Sequence, residues 1–484
     1  MTLLSNLVTE AQIAARSVAD YVSGTGLRLG VTGLSRAGKT VFITSLVHNL
    51  TQGGRLPVFR ASADGRLTRA TLQAQPDDAI PRFAYEDHLA SLTIDRTWPE
   101  STRRISELRL HIAFERRGSW RARNASLTID IIDYPGEWLL DLPLIGKSFA
   151  QWSRETLDAS AASGRATLAA AWRGGLQGLA PDSKGSEQVA REQAERFTAY
   201  LRAARQDRYA LSTLPPGRFL MPGDLEGSPA LTFAPLPVEE GRTYGSETIA
   251  AMMERRYESY KTHVIRPFFR DHFSRLDRQI VLVDALSALN SGPSAVRDLQ
   301  TALSDVMQSF RAGRSSLLST LFRPRIDKIL FAATKADHLH HTSHDRLEAI
   351  LRVLTARAIA RAEDVGAKID VIALAAVRAT REGAVRHGNE VLDAIIGTPL
   401  AGEEVDGEIF DGSAEGAIFP GELPADPRRA LRGDALAVPE SEADYRFVRF
   451  RPPVPQAGDD GLPRPLPHIR LDRALQFLLG DKLE

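Results

Sequence analysis

Residues 33–40 read GLSRAGKT. Gly33 and Gly38 bracket four residues, and Lys39 and Thr40 close the stretch. An apolar run, Leu27–Thr32, precedes it and a helical pattern follows to about Leu50. This is the G-x-x-x-x-G-K-[ST] spacing, in the strand–loop–helix context it requires. The glycines permit a tight path. Along it the backbone N–H groups of Gly33, Ser35, Arg36, Ala37, Gly38, Lys39, Thr40 and Val41 can turn around a phosphate, with the positive end of the new helix aimed at it. Lys39 reaches the β- and γ-phosphates as a point charge, and the Thr40 hydroxyl faces a Mg²⁺ ion.

Two further stretches extend that chemistry. IIDYPGEW ends an apolar strand in Asp133 and brings Gly136 three residues later. In a phosphate-loop protein an acid at this place holds Mg²⁺, usually through water, and a glycine N–H meets the γ-phosphate. FAATKADHL sets Thr334, Lys335 and Asp337 at the end of a third apolar strand. One carboxylate can accept both N1–H and N2–H₂ of guanine, a donor pair that adenine lacks, while a lysine stem lies along the ring face. Only eight of the 61 basic residues are lysines. Where this chain needs charge alone it uses Arg, so Lys39 and Lys335 point to a need for a compact ammonium.

GLSRAGKT, DYPG and TKAD in this order resemble the translation-factor-like class of P-loop GTPases, whose antiparallel hairpin before DYPG is also matched. The long helical segment after DYPG, the RTWPEST stretch and TKADHLHH resemble the YcjX family of bacterial P-loop proteins over most of the chain. That family is described chiefly as predicted NTPases linked to stress. The class implies a switch threonine just before the second strand, touching Mg²⁺. Thr102 is the choice and Thr97, in RTWP, the alternative. It also implies a loop over guanine O6 after the last strand, for which Ala376 and Val377 are the candidates, without the usual Ser-Ala-Lys wording.

Two departures bear on catalysis. Glu137 stands where many GTPases carry Gln to orient water. A carboxylate accepts from water but cannot donate to the γ-phosphate, so Glu137 is either a weak water-positioner or structural. Arg36 lies within the loop, which is similar to that of guanylate-binding proteins, where an arginine acts as an internal finger. The alternatives for Arg36 are neutralising charge between the β- and γ-phosphates and facing solvent or an acid. His338, His340, His341 and His344 crowd the TKAD stretch. Clustered imidazoles suit zinc or nickel, but Thr342 and Asp345 form a helix start, and a polar loop beside a base pocket accounts for the cluster without a metal.

The positioning elements follow from periodicity. Residues 2–22 place Leu3, Leu4, Leu7, Val8, Ala11, Ala14, Val18 and Tyr21 on one helical stripe that packs on the body. Residues 51–96 have no clear period. ISELRLHIAFE and SLTIDIID alternate as an antiparallel hairpin. Residues 139–277 read mainly helical, split by a Pro/Gly-rich connection over 212–237, and the apolar run WLLDLPLIGKSFAQW is expected to dock on this insert. Strand-like runs at 279–286, 328–334 and 369–377, separated by helical patterns, imply parallel βαβ units. The tail holds a strand candidate, YRFVRF, and an amphipathic helix, LDRALQFLLGDKL. The fold class is therefore α/β: a P-loop GTPase-like, mostly parallel sheet with an antiparallel edge hairpin, a large helical insert and an α/β C-terminal tail. The domains are 1–138 and 278–398 for the two parts of the GTPase domain, 139–277 for the insert and 399–484 for an extension packed on the body.

The 484 residues carry zero formal net charge and no cysteine. Neutrality gives the whole chain no drive toward nucleic acid or anionic lipid, though a local patch is still open to it, and no nucleic acid is expected as a partner. The absence of cysteine excludes disulfides, thiolate zinc sites and thiol catalysis. No apolar run is long enough to span a membrane, and no secretory signal opens the chain, so a cytoplasmic location is expected, with peripheral recruitment by a membrane protein left open. The expected activity is binding of GTP and GDP with Mg²⁺ and slow GTP hydrolysis, as a nucleotide-dependent switch acting through its switch regions and insert on a protein partner. The alternatives are a nucleotide-gated scaffold with negligible turnover and an ATPase in which TKAD is incidental.

Overall fold

The computed structural model describes residues 26–33, 36–75, 77–100, 102–117, 124–162, 164–206, 211–309, 326–364, 366–387, 390–405, 407–432, 445, 447–455 and 464–484. The stripe over 2–22, Ser35 and most of the turn between the hairpin strands lie outside them. The chain divides into two compact units: Met1–Tyr134, Leu276–Asn290 and Arg325–Glu484 form one, Pro135–Arg275 and Ser291–Pro324 the other.

The first unit is α/β. Its seven-stranded sheet comprises β1 (Gly26–Gly33), β2 (Leu67–Gln73), β3 (Ser106–Glu115), β4 (Asn124–Asp133), β5 (Arg278–Val283), β6 (Lys328–Ala333) and β7 (Lys368–Ala373). The order is β2-β3-β4-β1-β5-β6-β7. β4, β1, β5, β6 and β7 run parallel, while β2–β3 and β3–β4 pair antiparallel. β5 and β6 are buried along their whole length, which is why they read as continuous apolar runs rather than alternating ones.

Register decides what meets at the strand ends. Val31 of β1 and Ser106 of β3 both lie opposite Asp133. The entrance to GLSRAGKT, the DYPG aspartate and the chain leading into β3 therefore share one edge. Val283 pairs with Ala333, and Ala333 with Ala373, so Asp284, the TKAD turn and residues 374–377 continue along the same carboxyl-terminal edge. In a doubly wound sheet that edge is where ligands bind.

Helix α1 (Lys39–Thr51) packs on this sheet through Phe42, Ile43, Leu46, Val47 and Leu50. The C-terminal helix α2 (Leu471–Leu479) buries Leu471, Ala474, Leu475, Leu478 and Leu479 in the same core. That i, i+3, i+4, i+7, i+8 stripe is the one the sequence displays. Arg278 and Lys328, at the opposite ends of their strands, both pair with Asp481 beyond α2.

Several expectations need correction. The unassigned 51–96 region contributes the edge strand β2, whose half-buried, uneven pattern hides its period. The run at 279–286 stops as a strand at Val283, because Asp284 turns the chain into a helix over Ala285–Asn290, its carboxylate accepting from the Ser287 N–H at 3.0 Å. Among the described residues of YRFVRF the strand pairing is limited to an isolated bridge, Pro399 to Phe450. After β7, and ahead of YRFVRF, the chain instead builds a three-stranded antiparallel sheet from β8 (Arg381–His387), β9 (Glu390–Gly397) and Gly416–Ile418, of which only the last falls in the 399–484 tail. Residues 212–237 include short helical turns at Gly217–Leu220, Gly223–Leu225 and Pro229–Leu231.

The second unit is helical. The 3₁₀ run Gly136–Gly146 leads into helices Phe149–Ala161, Ala166–Leu176, Glu187–Ala204 and Ile249–Tyr260, and Pro293–Ser309 belongs to the same unit. Its core is aromatic. Trp152 stacks on Tyr257 with centroids 5.0 Å apart and Trp172 on Tyr200 at 5.5 Å, with Phe197, Phe219 and Phe233 edge-on around them. Among the described residues no helix is long and apolar enough to cross a membrane.

Candidate functional site

Gly33 ends β1 with no room for a side chain: a Cβ there would lie 2.8 Å from the Leu282 carbonyl oxygen and 2.9 Å from the Ala37 Cβ. Gly38 takes a left-handed conformation, φ 82°, and a Cβ there would meet open space. One glycine is thus held by packing and the other by backbone geometry. Arg36 is also left-handed, φ 58°, and exposed, while Ala37 is buried. Lys39 and Thr40 begin α1 and are buried; Val41 packs near Val377, Leu92 and Leu466. The Lys39 ammonium donates to the Gly33 carbonyl at 3.2 Å.

Asp133 emerges beside this loop and is 2% exposed. Thr102, four residues ahead of β3, is carried to it by the β3–β4 register, and its hydroxyl donates to Asp133 Oδ2 at 2.7 Å. The Thr40 and Thr102 hydroxyl oxygens are 3.4 Å apart. Asp133 Oδ1 is buried with no hydrogen-bond partner, an arrangement that costs free energy unless something satisfies it. Burial pushes the Asp133 carboxyl up to about 6, against the opposing effects of the Lys39 charge and the Thr102 hydroxyl. Two hydroxyls and an under-satisfied carboxylate form a hard oxygen set that fits Mg²⁺. Of the two candidate threonines, Thr102 joins this cluster. Thr97 is exposed, and its N–H bonds to the Ser91 carbonyl at 2.9 Å.

Farther along the edge, Lys335 adopts φ 60° and its ammonium pairs with Asp284. The Thr334 N–H bonds to the Val283 carbonyl at 3.0 Å, tying the turn to β5. Asp337 is buried, with Oδ2 accepting from the Ala379 N–H at 2.8 Å and its carbonyl accepting from the Thr380 hydroxyl. Ser45 of α1 donates to the Ala376 carbonyl, which joins α1 to the 376–377 loop. Val377 is buried in a small apolar cluster with Leu92 and Leu466. His338 is buried against the edge of Phe450, and that burial pushes its imidazole down.

Gly136 and Glu137 belong to the helical unit. Glu137 is buried and pairs with Arg205 at 2.6 Å. The run that follows docks within that unit, as its apolarity leads one to expect. Trp138 donates to the Met221 carbonyl at 2.9 Å, with the Arg218 guanidinium 3.1 Å above its ring. Asp141 accepts from the Gly217 N–H at 2.6 Å and from the Tyr260 hydroxyl at 2.7 Å. Gly217 is obligatory here, since a Cβ would fall 1.8 Å from the Glu137 carbonyl oxygen.

Sequence reasoning missed Asp284 and Arg205. An acid directly after the buried run QIVLV was a usable signal for the first. Nothing local marks Arg205, which lies 68 residues from Glu137 in a polar helical stretch.

Comparison with known proteins fits this geometry. Residues 27–483 match the family model described as YcjX-like family, DUF463. The chain is 40% identical over 472 residues to a protein of Escherichia coli K12 named Ras-like GTPase YcjX, covering 94% of this chain and 96% of the relative. It is 36% identical over 483 residues to a protein of the same name from Shewanella oneidensis MR-1, covering 95% of each. With GLSRAGKT, the DYPG aspartate and the TKAD turn along one sheet edge and residues 27–483 matched by the family model, this chain belongs to the YcjX-like family.

Proposed function

We propose that this protein is a GTPase that binds GTP and GDP with Mg²⁺, hydrolyses GTP slowly, and works as a nucleotide-dependent switch. The observation carrying the reading is the convergence of Lys39, Thr40, Thr102 and the under-satisfied Asp133 carboxylate on one sheet edge, with Lys335 and Asp337 farther along it. The names of its relatives agree.

In this reading residues 1–138 and 278–398 form the GTPase domain, 139–277 the insert and 399–484 an extension. The backbone N–H groups of Gly33 and of residues 35–41 hold the phosphates. Lys39 releases the Gly33 carbonyl and turns to the β- and γ-phosphates, where it stabilises charge that grows as the γ-phosphoryl group leaves. Thr40, Thr102 and Asp133 would hold Mg²⁺, which supplies charge neutralisation when bound. Lys335 covers the guanine face, Asp337 accepts its N1–H and N2–H₂, and Ala376 and Val377 offer the backbone toward O6. Water attacks the γ-phosphorus, the bond to the β–γ bridging oxygen breaks, and GDP and inorganic phosphate result. Gly136 senses the γ-phosphate and, through the run that follows it, passes the state to the insert. A protein partner reads the switches and insert.

The Glu137–Arg205 pair favours slow turnover, because it engages the carboxylate standing in the usual water-orienting position. The same observation supports a second reading, a nucleotide-gated scaffold with negligible turnover. Single-turnover hydrolysis of bound GTP by wild type and Arg36→Ala separates the two: turnover that drops in the variant supports a GTPase with an internal arginine finger, and none in either leaves the scaffold. Base choice is tested by Asp337→Asn. The amide reverses the donor pattern, so GTP affinity should fall and xanthosine triphosphate affinity rise. Unchanged preference removes Asp337 from the base site.

A further inference from the structure

The TKAD turn continues into His340 and His341, and the small β8–β9 sheet supplies Glu382 and Asp393 from residues far along the chain. His341 Nδ1 lies 3.0 Å from Glu382 Oε2, and His340 Nε2 lies 3.9 Å from the same oxygen. One ligand atom from each of His340, His341 and Glu382 falls within 4.8 Å of the others. Ligands about 2.0–2.1 Å from a tetrahedral metal sit roughly 3.3 Å apart, so small rotamer adjustments bring these three to that spacing. The other nitrogen of His340, Nδ1, is 3.2 Å from Asp393 Oδ2 and 3.0 Å from the Thr342 hydroxyl. A carboxylate holding Nδ1–H fixes the tautomer that presents Nε2 as a lone pair, the usual outer arrangement around a metal-bound imidazole. Asp393 in turn accepts from the Thr342 hydroxyl at 3.3 Å.

We propose that His340, His341 and Glu382 bind one divalent transition-metal ion, with Asp393 orienting His340 and a fourth coordination position open to water. Two imidazoles and one carboxylate favour zinc over the hard cations that the oxygen set at Asp133 suits. Arg378 approaches the other Glu382 oxygen at 3.5 Å, which leaves Oε2 for the metal while tempering its charge. The ion clips the turn that carries Asp337 to the β8–β9 sheet. A polar loop needs no such convergence: the local sequence accounts for the histidines, but not for two carboxylates from other strands placed one on each side of His340. The site is separate from the nucleotide chemistry and stands whether or not GTP is hydrolysed.

The test uses full-length protein without a histidine tag, stripped by chelator and free of nucleotide, with millimolar Mg²⁺ present. Zinc is titrated against a competing indicator, and cobalt(II) is followed by the visible absorption of its four-coordinate form. Wild type should take up one equivalent and gain thermal stability with it. His340→Ala, His341→Ala and Glu382→Gln should each lose that uptake, and Asp393→Asn should weaken it about 10-fold or more. His341 is 62% exposed, so its alanine variant should keep the wild-type unfolding midpoint in the absence of metal. His263→Ala, an exposed histidine elsewhere, should bind as wild type does. Absence of stoichiometric zinc uptake by wild type overturns the proposal. So does uptake that survives His340→Ala/His341→Ala, because the metal would then sit on other donors.

Discussion

Asp133→Asn should stabilise the nucleotide-free protein while disabling its metal site. The carboxylate is buried, one oxygen has no partner, and burial lifts its pKa from 3.8 to about 6. At ~1.4 kcal/mol per pKa unit, that rise costs the ionised folded state about 3 kcal/mol at pH 8. The asparagine amide is neutral, close in shape, and keeps an oxygen to accept from Thr102. The Lys39 attraction is already contained in that net rise; part of the gain is lost because the amide NH₂ takes the place of the unpartnered Oδ1 and stays unsatisfied, so a net stabilisation of up to about 2 kcal/mol is expected. The pH window follows from the sign. The folded pKa lies above the unfolded one, so the penalty is complete above pH 6. It is relieved as pH falls through 6 toward 3.8, where the folded carboxyl takes up its proton first. Glu107 and Asp141 are raised by burial in the same direction, to about 7 and about 6, but they are common to both proteins and cancel in the difference. Urea unfolding of wild type and variant at matched pH values from 5 to 8, without Mg²⁺ or nucleotide, reads that difference. A variant less stable at every pH, or a gap that does not shrink on acidification, refutes the argument. Adding Mg²⁺ and GTP should then stabilise wild type far more than the variant.

Gly33→Ala should destabilise the first unit by about 1–3 kcal/mol, the cost of overpacking, because its Cβ would press on Leu282 and Ala37; urea titration and GTP affinity should both fall, and a neutral result would show the loop has slack. Arg205→Ala should cost the helical unit about 3 kcal/mol by leaving the Glu137 carboxylate buried and unpaired. Adding Glu137→Gln should recover most of that loss in thermal unfolding, and failure of the double variant to recover would place Arg205's contribution elsewhere.

The parts of this molecule that were legible in advance are contiguous in sequence. GLSRAGKT, DYPG and TKAD each combine a buried strand with a polar turn, and a local pattern suffices to mark both. The final helix was equally clear, since its apolar stripe repeats along one face. Pairing between distant segments left no local trace. β2 shows no clean alternation because it is an edge strand with a half-exposed face. β8 and β9 are weakly apolar, as suits a small sheet with much exposed surface. The choice of Thr102 over Thr97 depends on register: only the pairing of Ser106 with Asp133 shows which threonine reaches the cluster. The engagement of Glu137 by Arg205 and of His340 by Glu382 and Asp393 is likewise a product of tertiary placement, where residue type alone leaves several roles open.

The most direct test of the account is equilibrium binding of GTP, GDP and ATP to nucleotide-stripped protein, with and without Mg²⁺. Guanine nucleotides should bind, ATP should compete at least 100-fold more weakly, and Mg²⁺ should tighten GTP more than GDP. Equal binding of ATP and GTP, or GTP binding indifferent to Mg²⁺ and to Lys39→Ala, would contradict it.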